Sequence, residues 1–98
     1  MLVLTRKVGS VLKIGDDMEV ELLSMTILPQ KKQNRANLAI TIGEYRSIET
    51  VFEGIPFTLI KNVYVQVFNF EADQLRMGIT APRSLNIVRA EIIKTEGV

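Results

Sequence analysis

Gly78-Ile79-Thr80-Ala81-Pro82-Arg83-Ser84-Leu85-Asn86-Ile87-Val88-Arg89-Ala90-Glu91-Ile92, taken with the opening Met1-Leu2-Val3-Leu4-Thr5-Arg6-Lys7-Val8-Gly9, is the stretch on which the fold turns. In the opening segment Val3, Thr5 and Lys7 alternate with Leu2, Leu4 and Arg6, the period of two expected of a strand with two unlike faces. In the closing segment Ala81-Pro82-Arg83 breaks the apolar pattern, so a loop is predicted between a strand over Gln74 to Ile79 and a short one over Leu85 to Val88. Arg89 to Lys94 then has the composition of a short helix, with Gly97 as its terminator.

Working outward, Val8-Gly9-Ser10 reads as a turn, Val11 to Ile14 as a second strand, and Gly15-Asp16-Asp17 as a tight turn, because Gly and Asp tolerate the positive φ of short hairpin loops. Met18, Val20 and Leu22 face one way and Glu19 and Glu21 the other, a half-buried strand running on towards Leu28. Pro29 to Asn34 is a polar loop, and Lys31-Lys32-Gln33-Asn34-Arg35 is predicted to be an exposed hairpin tip. Further strands are expected over Asn37 to Ile42, Phe57 to Ile60 and Val63 to Phe70. The pattern leaves open whether Ile48 to Phe52 pairs as a strand or only links.

Sliding the chain against itself by forty-five positions sets Gly9 on Gly54, Leu12 on Phe57, Ile14 on Leu59, Met18 on Val63, Val20 on Val65 and Leu22 on Val67. Inward and outward phases agree although identities are few, which points to a repeated unit.

The 98 residues suffice for one compact domain with a sizeable core, and Lys plus Arg exceed Asp plus Glu only by 12 to 11. Nucleic-acid binding would therefore have to come from local placement of charge. The chain has no Cys and no His. That excludes disulfides, the usual zinc sites, thiol nucleophiles and imidazole bases, and no cofactor is implied. Asp16 with Asp17, and Glu19 with Glu21, are explained by turn chemistry and strand alternation, so no enzyme is expected. Without an apolar run of membrane-spanning length or a leader-like start, the chain reads as cytoplasmic, with no membrane partner.

The motifs Leu-Thr-Arg-Lys-x-Gly at Leu4 to Gly9 and Gly-Ile-x-Ala-Pro-x-x-x-x-x-x-Arg-x-Glu-Ile at Gly78 to Ile92 resemble the first and last strands of the carbon storage regulator (CsrA/RsmA) family, bacterial RNA-binding repressors of translation. Phe57 to Ile92 resembles strands two to five of that family in order, and the first forty-odd residues resemble strands one to four. The resemblance implies interleaved antiparallel sheets forming a β-barrel or sandwich with a short C-terminal helix. The resemblance implies a dimer-like arrangement in which strand one of one unit lies beside strand five of the other. This chain is accordingly expected to be a single domain, 1–98, of two fused units (about 1–45 and 46–98) joined near Gly43 to Phe52, a monomeric pseudo-dimer. The rival reading is one family unit with an inserted hairpin, which would be an ordinary homodimer.

What the resemblance implies for function is recognition of GGA in RNA hairpin loops, in message leaders or small RNAs, at composite sites made from strand one of one unit and the loop and strand five of the other. On that carry-over Leu4 and Thr5 offer backbone groups to bases, and Arg6 and Lys7 take the RNA backbone. Ala81, Pro82 and Arg83 form the loop wall, Leu85 and Ile87 line the base pocket, and Val88 and Arg89 meet the central guanine. Arg76 adds a phosphate contact. Val88 stands where the family usually has histidine, and Ala90 where it usually has an acidic residue. The joint carries neither motif, so one site per chain is expected. The bland readings are that Leu4, Leu85 and Ile87 are core and that Arg6, Lys7 and Arg83 are solvated charges on strand edges. A protein-binding module or antagonist on the same scaffold is the alternative function.

Overall fold

In the computed structural model, which describes residues 1–29 and 33–90, the alternating segments form nine strands and two antiparallel sheets. The strands are β1 (Leu2–Lys7), β2 (Val11–Ile14), β3 (Met18–Thr26), β4 (Arg35–Ile42), β5 (Tyr45–Phe52), β6 (Phe57–Ile60), β7 (Val63–Phe68), β8 (Gln74–Thr80) and β9 (Ile87–Arg89). One sheet has the order β1-β8-β7-β6 and the other β5-β4-β3-β2-β9.

Alternation decides which face each strand buries. In the five-stranded sheet Leu12 and Ile14, Met18, Val20 and Leu22, and Ala36, Leu38 and Ile40 point inward. They meet Val63, Val65 and Val67 of β7 and Leu75, Met77 and Ile79 of β8 in one shared core. Each large aliphatic side chain so buried contributes about 1.5 to 3 kcal/mol, so this layer is what holds the two sheets together.

The chain crosses between sheets at its two ends. β1 does not lie beside the last strand, as the resemblance implies, nor join β2 in one sheet, but pairs with β8 in the register Leu2↔Ile79, Thr5↔Arg76 and Lys7↔Gln74, while the last strand belongs to the other sheet. β9 crosses the other way, leaving β8 and pairing with β2 in the register Leu12↔Arg89 and Ile14↔Ile87. The question left open by the joint is answered: Tyr45–Phe52 is a strand, paired along its length with β4 from Ile42↔Tyr45 to Arg35↔Phe52.

The two halves repeat one another in part, the bulge between Thr58 and Ile60 of β6 having no counterpart in β2. The Gly9 N–H donates to the Leu22 carbonyl (2.8 Å) and the Gly54 N–H to the Val67 carbonyl (2.9 Å); Ser10 N–H reaches the Lys7 carbonyl (2.9 Å) and Ile55 N–H the Phe52 carbonyl (3.1 Å). Each pair is related by the forty-five-position shift. Gly9 and Gly54 have φ of 93° and 77°, which a side chain at those turns would resist. The ladders repeat as well, for Leu2 faces Ile79 as Ser47 faces Ile40, and Leu12 faces Val20 as Phe57 faces Val65.

Some expectations need correction. Among the described residues the sheets do not close into a barrel: β1 and β6 are edges of one, β5 and β9 of the other. The last strand covers Ile87–Arg89 rather than Leu85 to Val88, because the Leu85 N–H folds back to the Pro82 carbonyl (3.0 Å) and keeps Leu85 in a turn. β7 stops at Phe68 because Asn69 takes φ 51°, outside strand geometry. A bulge between Leu22 and Ser24 interrupts β3, which ends at Thr26. The helix expected over Arg89 to Lys94 falls, beyond Ala90, outside the described residues, as do Lys31 and Lys32 of the hairpin tip. The described shoulder of that tip is tied down: Asn34 Oδ1 accepts from the Leu28 N–H (2.8 Å) and Gln33 Nε2 donates to the Glu53 carbonyl (3.0 Å).

Candidate nucleic-acid interface

β1 supplies one side of the region. Val3, Thr5 and Lys7 are exposed on the outer face of the four-stranded sheet, with Arg76 exposed on β8 directly opposite Thr5. Leu4 points inward, half-buried against the core. Arg6 shares that inward face and is only 5% exposed, its Nε donating to the Thr5 carbonyl (2.9 Å). The guanidinium is therefore engaged inside the protein, and Lys7 is the strand's solvent-facing cation.

The loop and β9 supply the other side. Ala81 is half-buried, while Pro82 and Arg83 are exposed. Leu85 rests on the β2–β3 turn, where a Cβ placed on Gly15 would stand 3.1 Å from its Cδ2, and the Gly15 N–H donates to the Asn86 carbonyl (2.7 Å). Ile87 is half-buried opposite Ile14. Val88 and Arg89 are exposed, Val88 beside Lys13 and Arg89 beside Leu12.

Topology relates these pieces. Ala81 follows β8 at the end where Leu2 pairs with Ile79, so the loop leaves from beside the start of β1. β1 leads into the turn at Val8 to Ser10, and β9, antiparallel to β2, runs towards the same turn. Lys7 and Arg89 thus share one end of the region, and Arg83 lies in the loop at the other. Lys7, Arg76, Arg83 and Arg89 are all exposed and are spread along this region. Glu19 and Glu21 lie on the outer face of the five-stranded sheet, where Glu21 Oε1 stands 3.9 Å from Arg46 Nη2.

Lys13 escaped the sequence reading. It is half-buried on β2 between Glu19 and Val88, and its cross-strand place beside β9 becomes visible only once that pairing is known.

The repeated half has a different surface. β5 occupies the place of β1, but Ser47, Glu49 and Val51 stand where Leu2, Leu4 and Arg6 do, and Ile48, Thr50 and Phe52 where Val3, Thr5 and Lys7 do. Tyr45 and Ile48 are 83% and 65% exposed. Asn37 ties β5 to β3 through its side chain, accepting from Thr50 Oγ1 (2.8 Å) and donating to Ser24 Oγ (3.0 Å). Arg35 stacks over Phe52, 5.4 Å from the ring centre. Among the described residues no strand pairs with the outer edge of β6, the counterpart of the edge of β2 that β9 covers.

Residues 53–96 match the model of the CsrA family, described as a global regulator protein family. That stretch takes in β6 to β9 and the loop from Ala81 to Asn86. No curated protein and no solved structure matches the chain.

Proposed function

We propose, from the match of residues 53–96 to the CsrA family of global regulators, that the chain is a member of that family and an RNA-binding post-transcriptional regulator that reads GGA in a hairpin loop through one composite site. The site consists of Leu4, Thr5 and Lys7 on β1, Arg76 beside them, and Ala81, Pro82, Arg83, Leu85, Ile87, Val88 and Arg89. Open strand edges suit single-stranded loops, whose splayed bases are read by main-chain groups and half-buried apolar side chains while cations hold the phosphates. Arg89 is the main reader, because a guanidinium forms paired hydrogen bonds with a base edge or phosphate that a lysine cannot. Arg6 supports the strand from within and does not contact RNA.

The observation that carries this reading is the convergence of β1 and β9, from opposite ends of the chain, on the turn at Val8 to Ser10. The same pairings favour two fused units over an inserted hairpin. Strand one finds its partner strand four within one chain, and a second strand one, β5, finds its partner in β4. The protein then works as a monomer, and represses by occluding the ribosome-binding region of a message rather than by bridging two hairpins.

The test is a titration of the protein with a GGA hairpin and with the same hairpin carrying a scrambled loop, at physiological salt. A clear preference for GGA is expected. Equal affinities would remove the RNA reading and leave a protein-binding role for the scaffold.

A further inference from the structure

The strands β1, β6, β7 and β8 carry no aspartate or glutamate, whereas the five-stranded sheet holds Glu19, Glu21 and Glu49. Alternation decides what the outer face of the four-stranded sheet presents. Val63, Val65 and Val67 turn into the core, so Tyr64, Gln66 and Phe68 lie on the opposite face, directly across from Thr80, Gly78 and Arg76 of β8. β1 completes two of these rows, with Val3 opposite Gly78 and Thr5 opposite Arg76. Tyr64 is 38% exposed and Phe68 half-buried. Between their rows Met1 lies over Gly78, where a Cβ would stand 2.5 Å from its Sδ. By the forty-five-position shift, Tyr64 and Gln66 occupy the places of Glu19 and Glu21, so the two outer faces have opposite chemistry at the same positions.

We propose that this face is a stacking platform for single-stranded RNA running on from the hairpin, a proposal that rests on the RNA-binding reading above. Tyr64 and Phe68 take bases on their rings, and Met1, an adaptable thioether, gives apolar cover between them. The rings are four residues apart on one strand, about 13 Å, so they receive bases of different nucleotides. Charge and continuity name the occupant. Lys61, in the turn before β7, and Arg83, in the loop after β8, are exposed at the Tyr64 end, and Arg76 is exposed beside Phe68. Cations at both ends with rings between them match the alternating phosphates and bases of a single strand. The exposed carboxylates Glu71 and Asp73 lie beyond Phe68 in the connection to β8 and bound the track on that side. Thr5 and Arg76 belong both to the composite site and to this face, so RNA held by the one is delivered to the other.

The experiment uses the full chain and a labelled GGA hairpin, alone and with an unpaired tail of about six adenosines at its 5′ or its 3′ end. Anisotropy titrations at physiological salt should show a tail at one end raising affinity by about tenfold or more, the scale of one stacked base. A tail of the same length without bases should lack most of that gain. Tyr64→Ala should remove the gain and leave the affinity of the tail-less hairpin unchanged, and Tyr64→Phe should keep it. Gln66→Glu, which sets on this face the charge that Glu21 carries on the other, should also remove the gain without moving the unfolding midpoint. A GGA-specific hairpin that gains nothing from either tail, an equal gain from the tail without bases, or a gain untouched by Tyr64→Ala and Gln66→Glu would overturn the platform alone. Indifference to GGA would overturn the reading on which it rests, and the platform with it. A mass of two chains without RNA, lost in Tyr64→Ala, would overturn it by naming a second copy as the occupant.

Discussion

Thr5 stands directly opposite Arg76 across the β1–β8 ladder, so a residue five positions into the chain shares a surface with one seventy-one positions later. Lys7 lies two residues along the same exposed face. In the proposed site these side chains hold the RNA backbone, and the energetic expectations follow from what each group touches.

Arg89→Ala should weaken binding of a GGA hairpin by about 1.5 to 3 kcal/mol, the range for charge-assisted hydrogen bonds. The unfolding midpoint in urea should hardly move, because the side chain is exposed. Lysine at this position should recover only part of the loss. A loss of affinity matched by a loss of stability would place Arg89 in the scaffold instead.

Arg76→Ala should act differently. As a phosphate contact it should weaken GGA and scrambled hairpins alike and lower the slope of log affinity against log salt by about 0.7. Nitrocellulose-filter titrations at several salt concentrations measure this, and an unchanged slope would remove Arg76 from the interface.

Arg6→Ala should reduce stability by about 1 to 3 kcal/mol, because it empties a buried site and breaks the contact to the Thr5 carbonyl. Chemical denaturation measures it. Under conditions where the variant is fully folded, its salt slope should equal that of the original protein. A reduced slope with unaltered stability would return Arg6 to the surface.

Much of this was legible in the sequence, for identifiable reasons. Leu2–Lys7, Val11–Ile14 and Phe57–Ile60 are bounded by glycine or polar turns, and their alternation sets both limits and faces. The inward place of Arg6 is also present in the alternation, which puts it with Leu2 and Leu4; the likeness of Leu-Thr-Arg-Lys to an RNA-binding motif pulls the reading the other way. β9 is less legible, since the fold-back of Leu85 onto Pro82 is a local hydrogen bond that apolar pattern does not encode. The pairing of β5 depends on an edge offered by β4 far along the chain, and β-propensity alone does not decide such pairings. The open edge of β6 could not be read at all, because it consists in a pairing that, among the described residues, the repeat does not supply.

The central claim is that one chain closes the two-unit fold on itself and keeps one composite site. Isothermal titration calorimetry with a single GGA hairpin, run on protein whose mass is fixed by light scattering at micromolar concentration, tests it most directly. The account predicts the mass of one chain and one hairpin bound per chain. A mass of two chains persisting on dilution, or two hairpins bound to a single chain, would contradict it.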